Sequence, residues 1–176
     1  MAYELLNRTI YFRGRIFSVA GREYMLPDGR SYTYEVVEHQ GAITVVPLDK
    51  DGCLLFVRQY RVGSQSELLE LPAGMLEDDE DPLSAAAREV REEIGMGAGR
   101  MERLGDFFMA PGYSTEHMHI FLATELYPAP LPQDQDEFLS IARIPARKAL
   151  EMARGGQIRD GKTLAALLMA EPHLNL

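Results

Sequence analysis

The chain has 176 residues, 18 Lys and Arg against 27 Asp and Glu, a net charge of −9 and a single cysteine, Cys53. That length supports one compact domain with at most a small appendage, and 46% hydrophobic with 26% charged residues is the balance of a folded chain rather than a disordered one. The acidic surplus speaks against nucleic acid and against an anionic membrane as partners, because both select for Lys and Arg. One cysteine permits no internal disulfide, which agrees with a reducing compartment. The first ten residues contain no apolar run of signal-peptide type, and no stretch is long enough to cross a bilayer. The expectation is a soluble protein of the cytoplasm.

In chain order, residues 15–25 and 31–37 are two β-rich runs separated by Leu26-Pro27-Asp28-Gly29-Arg30. Proline presets one turn position and glycine accepts positive φ, so the pair reads as a hairpin. Residues 42–48 and 53–58 follow, joined by Asp49-Lys50-Asp51-Gly52, and their unbroken apolar character predicts strands buried on both faces. Leu68–Leu71 reads as a further short strand. The clearest helix comes next: Asp81 caps it, Pro82 takes its first position and Gly95 stands at its C-terminal end. Along it Leu83, Ala87, Val90 and Ile94 form one apolar stripe. Residues 104–109 and 118–124 predict strands connected by Ala110-Pro111-Gly112-Tyr113-Ser114, and prolines at 128, 130 and 132 mark residues 127–135 as loop. Residues 138–144 predict a last strand, then 146–154 and 162–169 two helices, the second capped by Asp160. The sum is an α+β chain in which a small antiparallel N-terminal β unit, residues 1–40, precedes a mixed-sheet domain, residues 41–176.

On the helix of residues 82–94, Glu89, Glu92 and Glu93 stand at i, i+3 and i+4 and share one face, with Arg88 placed to pair with Glu92. The apolar stripe on the other side predicts that these carboxylates point away from the core. Glu-rich helix faces are commonly just solvated, so the cluster alone defines no site. Like charges about 4 Å apart nonetheless repel by roughly 4 kcal/mol at an effective dielectric of 20, which favours a bound cation. Hard oxygen donors suit Mg2+ or Mn2+, ions that keep waters and accept phosphate oxygens as further ligands.

Gly74, five residues, Glu80, seven residues and then Arg88-Glu89-Val90-Arg91-Glu92-Glu93-Ile94-Gly95-Met96 resemble a complete Nudix box. The resemblance implies a Nudix-type α/β/α sandwich with a mixed sheet. It also implies a loop–helix–loop metal site for hydrolysis of a nucleoside diphosphate linked to another moiety. By position it makes Glu89 and Glu93 the principal metal ligands, Glu92 a further ligand directly or through water, and Ala73 a ligand through its backbone carbonyl. Gly74 and Glu80 would shape the loop, and Arg88 would orient the glutamates. Metals held there would gather the pyrophosphate oxygens, neutralise developing charge and lower the pKa of an attacking water.

Outside the box, four segments resemble the ADP-ribose pyrophosphatase branch of that superfamily. They are Val57-Arg58-Gln59-Tyr60-Arg61, Glu70-Leu71-Pro72-Ala73-Gly74, the stretch Ala110–Glu116 with Pro111 sixteen residues beyond Gly95, and Asp160-Gly161-Lys162-Thr163. This resemblance implies a homodimeric hydrolase, dependent on Mg2+ with Mn2+ as the alternative, that splits ADP-ribose into AMP and ribose 5-phosphate. Arg58 and Arg61 at a strand end are suited to bidentate contact with phosphate. Glu116 by position would hydrogen-bond the terminal ribose. The N-terminal hairpin would pack on a second subunit and lend adenine contacts, with Glu35 nominated; Tyr32 and Tyr34 share the opposite face of that strand. Glu137, in the acidic loop Asp134-Gln135-Asp136-Glu137, is the expected general base and would act with Glu92 and Arg88. His117 and His119, at strand spacing, read as structural.

Two other functions would use the same motif: hydrolysis of another sugar nucleotide such as GDP-mannose, and nucleotide sensing without catalysis. The intact glutamates and the missing basic patch weigh against the sensor. Residues 74–96 carry −6 of the net −9 and residues 134–137 another −3. The charge that speaks against polyanionic partners is therefore concentrated in the expected metal site and base loop.

Overall fold

The computed structural model describes residues 2–133 and 138–174. It divides into two compact units, Met1–Gly41 with Phe108–His117, and Ala42–Phe107 with Met118–Leu176. Among the described residues no helix is long and apolar enough to cross a membrane.

The first unit is built on an antiparallel sheet in the order β1-β2-β3, with β1 Glu4–Arg13, β2 Ser18–Met25 and β3 Ser31–Glu38. The expected β2–β3 turn is closed by the Gly29 N–H donating to the Leu26 carbonyl at 2.9 Å. Strand β1 was not expected, and its burial pattern explains why: nearly every side chain is exposed, so no alternation marks it. Tyr32 and Tyr34 share a face as expected, with ring centroids 4.8 Å apart, and Tyr24 and Tyr3 extend the row at 6.1 and 6.3 Å. Glu38 joins the three strands by accepting from Arg8 Nε and Arg22 Nε, both at 2.8 Å. The Arg8 bond, reinforced by Arg22 against the opposing effect of burial, holds the Glu38 pKa down to about 2. Segment 108–117 is laced to the end of β3: Val37 N–H donates to the Tyr113 carbonyl at 2.8 Å and Thr115 N–H to the Val37 carbonyl at 2.9 Å.

The second unit contains β4 Ala42–Pro47, β5 Cys53–Arg61, β6 Ser66–Glu70, β7 Ala73–Met75, α1 Pro82–Glu93, β8 Met96–Phe108, β9 His117–Pro128, β10 Ser140–Pro145, α2 Ala146–Arg154 and α3 Gly161–Ala170, the outer ends of β8 and β9 grouping with the first unit. One sheet has the order β7-β4-β9-β8 and is mixed, since β9 runs parallel to β4 and β7 antiparallel. The other, β10-β5-β6, is antiparallel. All six residues of β4 are buried, as its apolar run predicts. Ile43 and Val45 pack with Ala85, Ala86 and Val90 of α1, while Val46 packs with Ala149 of α2 and Leu167 of α3. Helices therefore cover both faces of β4, the α/β/α layering expected, and each fully buried aliphatic side chain contributes about 1.5–3 kcal/mol.

Helix α1 starts and stops as expected. Asp81 accepts from the N–H groups of Leu83 and Ser84, each at 3.1 Å, and Gly95 takes φ +70° just past the end. Its buried face, however, corrects the sequence reading. Leu83 is 46% exposed and Ala87 lies at the surface, whereas Ala85, Ala86, Glu89, Val90 and Glu93 are buried. The glutamates face inward. Small residues at 85 and 86 let the helix lie close on the sheet, and the two buried carboxylates find charged or N–H donors that offset their loss of water.

Candidate active site

The site forms where β7 meets α1. Strand β7 pairs with the start of β4, Ala73 opposite Thr44 and Gly74 opposite Ile43. Glu93, only 2% exposed, accepts the Ala73 N–H on Oε2 at 3.0 Å, which ties the helix end to the strand. A Cβ placed on Gly74 would lie 1.8 Å from Glu89 Oε1, so any side chain there must displace the carboxylate. Close approach, rather than turn geometry, explains the glycine.

Arg88 is the hub. Its Nε and Nη2 donate to the two oxygens of Glu80 at 3.0 and 2.9 Å, and Nη1 donates to Glu89 at 2.6 Å and Glu92 at 3.0 Å. Nη2 also reaches the Met75 carbonyl at 3.3 Å. Glu80 in turn accepts the Glu77 N–H at 3.0 Å, closing the loop between β7 and α1. Donation to Glu80 raises the Arg88 pKa further, and the same bonds lower that of Glu80, so both stay ionised. Three carboxylates (Glu80, Glu89 and Glu92) thus surround one guanidinium, and the fourth, Glu93, is held by the Ala73 N–H instead. Arg91, the nearest other cation in the sequence, turns away to the Ala129 carbonyl at 3.0 Å. A negative excess held on hard, half-buried oxygen atoms has the donor chemistry of a divalent-cation site, and Glu89, Glu92 and Glu93 are the side chains here that could supply its ligands.

The structure brings Ala73, Gly74, Glu80, Arg88, Glu89, Glu92 and Glu93 together. Arg61 stands on β5 with Nε and Nη2 on Glu70 at 2.9 and 2.8 Å, and Glu70 is 1% exposed. Glu70 chiefly, with help from Glu93 and Asp160, keeps Arg61 protonated despite partial burial. Arg58 lies on the exposed part of the same strand, 3.7 Å from Glu67. Glu35 and Glu116 belong to the other unit: Glu35 is exposed opposite Gly21, and the Glu116 carbonyl accepts the Met109 N–H at 3.1 Å. His117 stacks on Phe108 with centroids 4.6 Å apart, a packing contact. Glu137 lies outside the described residues. The sequence reading assigns no role to Glu70, Lys162 or Thr163; the signal available was a glutamate inside the apolar run Leu68–Leu71, where a charge is costly unless paired.

The profile of the NUDIX domain family matches residues 38–167. This chain belongs to the NUDIX family. Its NUDIX relatives match over most of their length. An ADP-ribose pyrophosphatase of Bacillus subtilis is 32% identical over 158 residues, which span 89% of this chain and 85% of that protein. One from Mycobacterium tuberculosis is 34% identical over 169 residues, spanning 94% of this chain and 82% of that protein. A crystal structure of an ADP compounds hydrolase shares the fold with a TM-score of 0.86 at 29% identity, over 99% of this chain and 95% of that one.

Proposed function

We propose that this NUDIX protein is a homodimeric, Mg2+-dependent hydrolase of the cytoplasm that splits ADP-ribose into AMP and ribose 5-phosphate. One observation carries the reading. Three carboxylates share a single guanidinium between β7 and α1, and a fourth, the buried Glu93, is fixed by the Ala73 N–H, in a chain similar over most of its length to ADP-ribose pyrophosphatases. Mg2+, or Mn2+ in its place, would be held by Glu89, Glu92, Glu93 and the Ala73 carbonyl. The bound ion supplies charge neutralisation at the pyrophosphate oxygens and a more acidic water.

The side chains do the remaining work. Arg88 spaces Glu80, Glu89 and Glu92, and the Ala73 N–H fixes Glu93, so each carboxylate is held by a partner within the protein. Arg58 and Arg61 offer cations to the pyrophosphate from β5, with Arg61 aimed by Glu70. Glu137 accepts the proton of the water that attacks one phosphorus, and the bridging P–O bond breaks to leave the two monophosphates. Glu116 takes the terminal ribose and Glu35 the adenine. The N-terminal unit, residues 1–40, makes the dimer contact; Tyr3, Tyr11, Phe12 and Tyr32, all more than half exposed, support that assignment as apolar surface in search of a cover.

The test compares kcat/KM for ADP-ribose and GDP-mannose in Mg2+. A higher value for ADP-ribose is expected. A higher value for GDP-mannose would move the activity to another sugar nucleotide, and binding of both without turnover would make the protein a sensor.

A further inference from the structure

The segment Leu71-Pro72-Ala73 that leads into the metal-holding loop has each of its inward polar groups gripped by a different element. The Leu71 N–H donates to Thr163 Oγ1 at 2.9 Å. The Pro72 carbonyl accepts from the Val45 N–H at 2.9 Å and from Thr44 Oγ1 at 3.1 Å. The Ala73 N–H donates to Glu93 at 3.0 Å. Proline at the middle position has a fixed φ, which removes one backbone freedom from the segment.

The first of these grips comes from the N-terminal turn of α3, which is itself locked by charge. Thr163 is fully buried, and its hydroxyl donates to Asp160 at 2.6 Å while its N–H donates to the same oxygen at 3.0 Å. Lys162 Nζ bridges the other Asp160 oxygen, at 3.0 Å, and Glu70. Glu70, the residue before Leu71, also takes the Arg61 fork. Burial alone would push the Glu70 carboxyl up, but Arg61 and Lys162 outweigh it and hold the group ionised. Two cations and two carboxylates therefore form a neutral clasp, with Glu70 buried at its centre, between α3, β5 and the end of β6.

We infer that Thr163 and Lys162 are positioning residues: through Leu71 and Pro72 they set where the Ala73 carbonyl and the Glu93 carboxylate stand, and hence how tightly the loop holds a divalent cation. This rests on the metal site proposed above. Neither side chain touches the ion or the substrate. The sign of the effect separates positioning from simple electrostatics. Removing the Lys162 charge makes the neighbourhood of Glu93 more negative, which by Coulomb attraction alone would tighten cation binding. Loss of the clasp loosens it.

The measurement is calorimetric titration of substrate-free protein with Mn2+, alongside hydrogen exchange at the Leu71 amide. Thr163→Val keeps shape and charge and removes the acceptor of the Leu71 N–H. It is expected to weaken Mn2+ binding roughly tenfold, the lower end of what contacts behind a metal ligand deliver, and to speed Leu71 exchange. Thr163→Ser restores the hydroxyl and should bind Mn2+ as the wild type does. Lys162→Met covers the case in which Thr163→Val does not fold, and it too should bind Mn2+ more weakly. Mn2+ affinity unchanged in Thr163→Val, or tightened in Lys162→Met, while Glu93→Gln still loses binding, overturns the positioning role and leaves the metal site standing. A wild type that binds Mn2+ no better than Glu93→Gln removes the metal site and the inference with it.

Discussion

Replacing Gly74 by alanine would set a methyl carbon 1.8 Å from Glu89 Oε1 and 2.1 Å from its Cδ. Real Cβ atoms keep at least 3.0 Å from such neighbours, so the carboxylate must retreat by about 1.2 Å. It can do so, because it is the end of a flexible side chain, but the 2.6 Å bond from Arg88 breaks in the process. That charge-assisted bond is worth about 1.5 kcal/mol net, while alanine stiffens the unfolded chain and returns about 0.5 kcal/mol. The remainder of about 1 kcal/mol shifts Tm by roughly 2–4 °C in a chain of this size. Catalysis should suffer far more, since a displacement of about 1 Å in a reacting group costs on the order of a hundredfold. Thermal melts and turnover of ADP-ribose across a Mg2+ titration read both quantities. Retention of full turnover at wild-type Mg2+ demand would refute the close-approach argument. A Tm loss of more than about 10 °C would do the same, by making Gly74 a residue of the core rather than of the site.

Arg88→Ala should cost about 2 kcal/mol in metal-free buffer, below the roughly 3–5 kcal/mol of a fully buried pair because the side chain is 24% exposed; saturating Mg2+ should restore part of it, and equal melting with and without Mg2+ would contradict the reading of Arg88 as the counter-charge of three carboxylates. Glu38 has a pKa depressed from 4.5 to about 2, so its ion pairs stabilise the N-terminal unit fully above about pH 4.5 and the benefit is lost as pH falls toward 2. The stability gap between wild type and Glu38→Gln, from urea unfolding, should therefore be constant near neutrality and close at low pH; a gap independent of pH would exclude the assignment. Glu137→Gln should lower turnover by a factor of roughly 10²–10⁴ with Mn2+ affinity unchanged; full turnover would take Glu137 out of the mechanism.

Much of the architecture was legible because burial leaves a mark on composition. Strand β4 is apolar at nearly every position, and both of its faces are covered. Helix α1 carries its cap at Asp81 and its stop at Gly95, and the chain obeys both. What escaped notice lacked contrast. Strand β1 buries almost nothing, so its period of two is silent; β7 has three residues, too few for any period. The inward face of α1 was misread for the opposite reason. Glu89 and Glu93 are polar residues in core positions, satisfied by the neighbouring Arg88 and by the Ala73 N–H, the second of which only the fold brings near. The same holds for Glu70, whose partner Lys162 lies 92 residues away in sequence. That the Glu89 and Glu93 carboxylates are buried against β7 rather than solvated required the structure.

The central claim is metal-dependent cleavage of ADP-ribose by the carboxylates of α1, and chromatographic detection of AMP released by purified protein tests it most directly. With Mg2+, AMP and ribose 5-phosphate should appear in equal amounts. Chelation should stop their release, and Glu93→Gln should slow it by at least about a hundredfold, as the loss of several kcal/mol of transition-state stabilisation requires. AMP release that continues at the wild-type rate in EDTA, or in Glu93→Gln, would contradict the account.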